Sequence, residues 1–361
     1  MTRVHIVGTG LIGASLGLAL SKAGYAVTLA DQSPTSAALA RDLGAGRLDD
    51  PADAPDVVVV ATPPDVTARV VVEALGRWPS STVADVASVK GAILREVTAA
   101  GADTSRYVGA HPMAGRERSG VIAARGDLFE GRAWVVSPGP DARPGCVEAV
   151  RALGHDAGGS VVILTPDDHD AAVAAVSHVP QVAASLVAAR LAALPDSAVE
   201  LAGPGVRDVT RIAASDAQLW TQILAANAPA VRVVLADVVA DLERIVDALD
   251  RLASSEGGAA HGARADIAGV IAAGNAGRSR LPGKHGGAQT AYASVSVVVP
   301  DEPGALARLL HDIGVAGVNL EDLHLEHGLG QPFGIAEVMV VPSARGQLSG
   351  ALEAHGWRLH S

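Results

Sequence analysis

Residues 3–15 read Arg-Val-His-Ile-Val-Gly-Thr-Gly-Leu-Ile-Gly-Ala-Ser. The first five form a short apolar run of the kind buried in a parallel sheet. Gly8, Gly10 and Gly13 then stand in the G-x-G-x-x-G spacing, and an apolar helical stretch through Leu20 follows. Each glycine has its own reason. Gly8 permits a tight turn, Gly10 lets backbone approach a pyrophosphate, and Gly13 lets helix and strand pack closely. The helix N-terminus, at Leu11 and Ile12, supplies free N–H groups and the positive end of a dipole. A second strand, 26–30, ends in Asp31, about 20 residues past the glycines, where a carboxylate takes a ribose 2′-hydroxyl and repels a 2′-phosphate. The stretch predicts a Rossmann-type α/β domain that binds NAD rather than NADP.

Outward from it the pattern repeats. Asp56 to Ala61 is a buried strand closed by Thr62-Pro63-Pro64, a loop on the cofactor side. Thr82 to Val86 is another, and a helix is expected from Ala87, with Ser88 as its N-cap or as a polar group facing the site. Tyr107 to His111 leads into His-Pro-Met-Ala-Gly, 111–115, followed by the polar loop Arg116, Glu117, Arg118, Ser119. A histidine at a strand's C-terminal end in such a sheet stands where ligands bind. Strands 133–137 and 161–164 complete the sheet.

From Asp167 the period becomes helical, over 167–194, 197–201 and 216–252. Many of these stretches are apolar on most faces, which implies burial by other helices, including those of a second subunit. His169, Asp170, His178, Gln181, Arg207, Asp208 and Arg211 are the polar exceptions, each as well explained by capping or pairing as by ligand contact. Residues 253–290 shift to Gly, Ser and Ala around a short helix, 264–273. The tail from Tyr292 reads β-α-β-β-α-β, a ferredoxin-like order, with its second strand near 318–326. Its histidines follow no metal-ligand spacing, and no metal is expected.

The 361 residues suit two or three domains. Three are expected: 1–165 binding NAD, an all-α substrate and dimerisation domain at 166–288, and a small regulatory domain at 291–361. A net charge of -11 argues against nucleic acid and anionic membrane surfaces as partners. The single Cys146 leaves no intrachain disulfide. No signal peptide is read at the N-terminus, and no apolar run of spanning length lacks a charge, Pro or Gly cluster. The expectation is a cytoplasmic homodimer.

GTGLIGAS at 8–15, DVASVK at 85–90, GAHPMAG at 109–115 with Glu117, Ser119 and Gly120, HDAAVAAVSHVP at 169–180 and RDVTRIAASDAQLW at 207–220 resemble prephenate dehydrogenases. The tail resembles an ACT domain through VPDEPGALARLL at 299–310 and Gly317-Val318-Asn319. The resemblance implies oxidative decarboxylation of prephenate with NAD, His111 as base, Ser88 beside it, and Arg211 on a substrate carboxylate. Gln181, His178 and Glu117 complete the implied substrate contacts. Asp301, Gly304 and Asn319 mark an effector site, with tyrosine as the implied effector. Two departures stand out. Gln181 occupies a position where relatives often carry a second histidine, which keeps arogenate open as substrate. Arg116 replaces a small hydroxyl residue. Outside this family, two readings compete: a hydroxy-acid dehydrogenase with a lysine base, for which 173–193 offers no lysine, and a non-catalytic amino-acid sensor.

Overall fold

The computed structural model describes residues 1–50, 54–115, 120–254, 261–281, 292–327 and 331–360. They form two compact units, Met1–Val238 and Val239–Ser361.

The first unit is built on an eight-stranded sheet: β1 (Arg3–Val7), β2 (Ala26–Ala30), β3 (Arg47–Leu48), β4 (Val57–Val60), β5 (Thr82–Asp85), β6 (Tyr107–Pro112), β7 (Ala133–Pro138) and β8 (Ser160–Ile163). The spatial order is β3-β2-β1-β4-β5-β6-β7-β8, and every neighbouring pair is parallel except β6 with β7. The chain reverses direction across the sheet between β1 and β4, the switch point at which a crevice opens beyond the strands' C-terminal ends.

Why β4 sits centrally is visible in its four valines. Val57 and Val59 enter one core with Leu16 and Leu20 of α1 (Leu11–Lys22), whereas Val58 and Val60 enter another. After α2 (Pro34–Asp42), helices α3 (Pro64–Arg77) and α4 (Gly91–Ala99) cover that second face through Val71, Leu75 and Ile93. Leu153 of α5 (Pro144–Asp156) closes the first. A strand apolar on both faces is what a helix-covered parallel sheet requires.

The expected helix start at Ala87 is corrected. Helix α4 begins at Gly91 with Lys90 at the cap position, and Ser88 is not its N-cap. Residues 86–90 are instead an ordered loop, because the Asp85 carboxylate accepts the Ala87 N–H at 2.9 Å and Lys90 reaches back to it.

The helical segment opens with α6 (Pro166–Val173), passes through a π turn at Ala174–His178, and continues as α7 (Val179–Leu191). Together Pro166–Leu191 is long and apolar enough to cross a membrane, but it carries Asp167, Asp168 and Asp170 in its first turns and Pro180 inside it, as the sequence expectation requires. Its polar residues His169, Asp170, His178 and Gln181 bond to neighbouring elements of the same unit. Then come α8 (Asp196–Val199), α9 (Pro204–Thr210), a 3₁₀ turn at Arg211–Ala213, α10 (Ala217–Ala226) and α11 (Ala228–Ser254). The single helix expected over 216–252 is corrected to two, bent by 96° at Asn227. Pro229 supplies the reason. It has no N–H for the preceding turn and favours the first turn of a new helix.

In the second unit α12 (Ala263–Arg278) is longer than the helix expected at 264–273, and Arg251 of α11 pairs with its Asp266. The C-terminal part runs β9 (Ala293–Pro300), α13 (Ala305–Val315), β10 (Asp322–His327), β11 (Phe333–Val340), α14 (Arg345–Ala354) and β12 (Arg358–His360). The strands form an antiparallel sheet in the order β10-β11-β9-β12. Its core joins Val297, Val338 and Val340 to Leu309 and Leu352. The second strand starts at Asp322, later than expected. Gly317, at φ 68°, turns the chain first, and the Val318 N–H bonds back to the Ile313 carbonyl.

Candidate active site

The glycine turn stands at the β1/β4 switch point. Gly8 has φ 100°, and a Cβ there would lie 2.4 Å from the Ala61 carbonyl oxygen. A Cβ on Gly13 would lie 1.9 Å from the Gly8 oxygen, so helix and turn could not approach as they do. Gly10 has open space around it and caps α1 without a side-chain bond. The first amides of α1, at Leu11 and Ile12, therefore face a cleft without competition from a cap, which fits a pyrophosphate. Thr62 borders this turn just beyond β4, where a Cβ on Gly8 would lie 3.2 Å from its amide nitrogen, and the buried Thr67 hydroxyl donates to the carbonyl of the next residue, Pro63, at 2.9 Å. Asp31 ends β2. One of its oxygens accepts the Thr9 N–H at 2.7 Å and hydroxyl at 2.9 Å, and the other accepts the Ser33 N–H at 2.8 Å. Its position is thus set before any ribose arrives.

Further along the same edge, His111 occupies the C-terminal end of β6, partly open to solvent. Its Nδ1 lies 2.9 Å from Nε2 of His169, and Nδ1 of His169 lies 2.8 Å from the Asp170 carboxylate. The proton positions follow from chemistry. A carboxylate only accepts, so His169 donates through Nδ1, and in the neutral ring its Nε2 carries a lone pair. His111 must then donate through Nδ1, which leaves the lone pair on its own Nε2. Burial would raise the Asp170 carboxyl, but the His169 ring and the Lys90 and Gly91 amides, at 2.9 and 2.8 Å, hold it below the usual range. That one carboxylate therefore caps α4 and orients the relay.

Behind His111 lies a buried ionic network. Lys90 and Asp85 are 1% and 0% exposed and form an ion pair. Lys90 Nζ also donates to the Ala110 carbonyl at 2.7 Å, on the residue preceding His111. The Tyr107 hydroxyl donates to the other Asp85 oxygen at 2.6 Å. Desolvation and the Asp85 charge push the Tyr107 hydroxyl well above its ordinary value, so it remains a donor.

Burial, then the neighbouring His169 ring, the Lys90 ammonium and the His178 ring, all of which oppose a positive charge there, hold the His111 imidazole well below its ordinary 6.5. Burial brings His178 down to about 4. Both rings are therefore neutral near pH 7. The sign for stability follows. The unfolded histidines bind protons below about 6.5 and the folded ones resist, so stability is full above that value and declines as pH falls towards 4. For activity, the acid limb of kcat/KM should lie below pH 6.5, the ordinary imidazole value. A pH–rate profile checks this, and a midpoint at or above the ordinary value would contradict it.

Ser88 lies half-buried in the loop after β5, between Asp85 and Lys90. His178 is 1% exposed and bonds Asn227 through Nδ1 at 3.1 Å. Gln181 is buried, but its amide is bonded to the Ser215 hydroxyl at 2.7 Å beside an apolar groove lined by Leu186 and Trp220. Arg211 is exposed in the turn that packs on α7. Glu117, with Arg116, lies outside the described residues. Among the described residues no group of three metal-ligating side chains is arranged to hold a metal. In the second unit Asp301 and Asn319 are exposed and Gly304, at φ 88°, caps α13. Sequence reasoning missed the His169–Asp170 pair as a partner of His111, together with Lys90, Asp85, Tyr107 and Asn227. The signal for the first was His-Asp at the head of an otherwise apolar helix.

A doubly wound sheet with a bare glycine turn, an acid at the end of β2 and a basic imidazole on the same edge defines an NAD-binding oxidoreductase. Residues 16–164 match the prephenate dehydrogenase nucleotide-binding domain, and residues 165–256 its dimerization domain. The chain is 36% identical over 363 residues to "Probable prephenate dehydrogenase NovF" of Streptomyces niveus, covering 100% of both chains. It is 28% identical over 337 residues to prephenate dehydrogenase of Bacillus subtilis, covering 89% of this chain and 87% of that one. The crystal structure of Aquifex aeolicus prephenate dehydrogenase with hydroxyphenyl propionate and NAD+ matches with TM-score 0.66 and 26% identity, over 77% of this chain and 97% of that one. The chain belongs to the prephenate dehydrogenase family.

Proposed function

We propose that the protein oxidises and decarboxylates prephenate to 4-hydroxyphenylpyruvate, using NAD in preference to NADP. The observation that carries this reading is the His111–His169–Asp170 chain at the C-terminal edge of β6, which in neutral His111 turns the lone pair to Nε2. His111 takes the proton of the ring C4 hydroxyl as the C4–O bond becomes a carbonyl. NAD+ bound at the glycine turn takes up the hydride leaving C4. The C1 carboxylate then departs as CO2, its bonding electrons aromatise the ring, and His111 returns its proton to the phenolate oxygen. As His111 becomes cationic, His169 and Asp170 stand behind it to spread and stabilise the charge.

Ser88 orients the hydroxyl or His111, and Arg211 holds a substrate carboxylate. Gln181, His178 and Glu117 stand near the substrate's side chain. Functionally the chain divides into residues 1–165 for cofactor, 166–288 for substrate and dimer contact, and 291–361 as an ACT effector module reading tyrosine through Asp301, Gly304 and Asn319. The homodimer reading is supported by apolar side chains left open on the helices, such as Leu186 at 59% and Val233 at 58% exposure. Arogenate is the second reading, favoured by Gln181 in place of a histidine.

The test is NADH formation with prephenate and with arogenate, each with NAD and NADP, and with tyrosine added. Fast turnover of prephenate with NAD, slowed by tyrosine, is expected. Activity confined to arogenate would overturn the substrate while leaving the proton chemistry, and tyrosine insensitivity would overturn the effector role.

A further inference from the structure

Three imidazoles, His111, His169 and His178, lie in one hydrogen-bonded cluster, yet the chemistry needs a single proton acceptor. Two of them are backed by Asp170. The third is governed by Asn227, a 3% exposed residue at the bend between α10 and α11. Asn227 Nδ2 donates to the Asp170 main-chain carbonyl at 2.8 Å and lies 3.1 Å from His178 Nδ1. The carbonyl accepts only, so the atom facing it must be the amide nitrogen. That same nitrogen offers its second hydrogen to His178, and Nδ1 of His178 must therefore be unprotonated. The proton of neutral His178 then sits on Nε2.

The π turn makes this meeting possible. In a regular α-helix the sites of Asp170 and His178 would be turned about 80° apart. The wider i→i+5 turn at Ala174–His178 inserts an extra residue and removes most of that offset. Both then reach one asparagine amide.

We propose that Asn227 is a positioning residue that holds His178 neutral with its proton on Nε2, so that the proton taken from substrate resides on the His111–His169 pair alone. The consequence for catalysis rests on the reading of His111 as the base; the tautomer does not. The charged or titratable groups that act on His178 are Asp170 and His169 on its own helix and His111 on β6. From α10 Trp220 packs against it in a T-shaped arrangement, with ring centroids 6.1 Å apart. A second protonated imidazole here would oppose the charge that His111 acquires.

The test is histidine 15N NMR of the full chain without substrate, between about pH 5 and 8, alongside kinetics. In the wild type His178 is expected as a single neutral Nε2–H tautomer across that range. Asn227→Asp places a carboxylate at Nδ1 and is expected to raise the His178 titration by at least about one unit. Its kcat should fall more than its KM changes. Asn227→Leu, close in volume and without donors, should leave His178 neutral but mixed between tautomers. A wild-type proton on Nδ1, or tautomers unchanged in both variants, would overturn the proposal. Because the NMR arm needs no substrate, it stands or falls separately from the prephenate assignment.

Discussion

His111→Asn should lower turnover by about 10²–10⁴-fold, the usual contribution of a positioned general base, while NAD binding stays at the wild-type level. Asparagine suits the test because its amide can still donate towards His169 Nε2, as the His111 ring does now at 2.9 Å. The relay behind the residue keeps a donor, but no basic lone pair faces the substrate hydroxyl. The glycine turn and Asp31 belong to β1, α1 and β2, so cofactor affinity should be unaffected. Steady-state NADH formation and a direct NAD titration measure the two quantities. Wild-type turnover in this variant would place the base elsewhere; weakened NAD binding would mean that the substitution disturbed the sheet edge as a whole.

The second large effect concerns stability. Lys90→Met should destabilise the fold by about 3–5 kcal/mol, because it leaves the Asp85 charge buried without its counter-ion. Methionine fills much of the same volume, so the loss reports charge and hydrogen bonding more than a cavity. Three bonds would remain or fall with it. Tyr107 and the Ala87 amide still satisfy Asp85 in part, whereas the Ala110 carbonyl loses its donor. Removing both charges, Asp85→Asn with Lys90→Met, should recover much of the loss, as expected when a buried pair is replaced rather than broken. Denaturant unfolding of the two variants gives the comparison. A single-variant loss below about 1 kcal/mol, typical of exposed pairs, would show that Asp85 is relieved by protonation or water. The space is tight as well: a Cβ on Gly109 would lie 2.9 Å from Lys90 Cδ.

Much of this architecture is local, and local features are legible in a sequence. The glycine spacing, the acid at residue 31 and the apolar runs at 57–60 and 107–111 specify strand, turn and helix through backbone sterics and burial of both sheet faces. His111 at the end of such a run was placed beside the cofactor edge by the same logic. Helix propensity yields where a side chain offers the backbone other bonds. The segment 87–90 looks helical, but the Asp85 carboxylate draws Ala87 and Lys90 into a loop. The amides of Lys90 and Gly91 are then capped by Asp170, far along the chain.

The sequence by itself determined the nucleotide-binding sheet, the glycine turn and the edge on which His111 stands, because short-range periodicity and glycine geometry are properties of neighbouring residues. Only the tertiary structure decided which partners complete His111. His169 and Asp170 arrive from a helix that begins more than fifty residues later, and Asn227 from a bend later still. Proton placement on each ring depends on which acceptor or donor lies within about 3 Å, and that distance is set by packing between elements rather than by spacing along the chain.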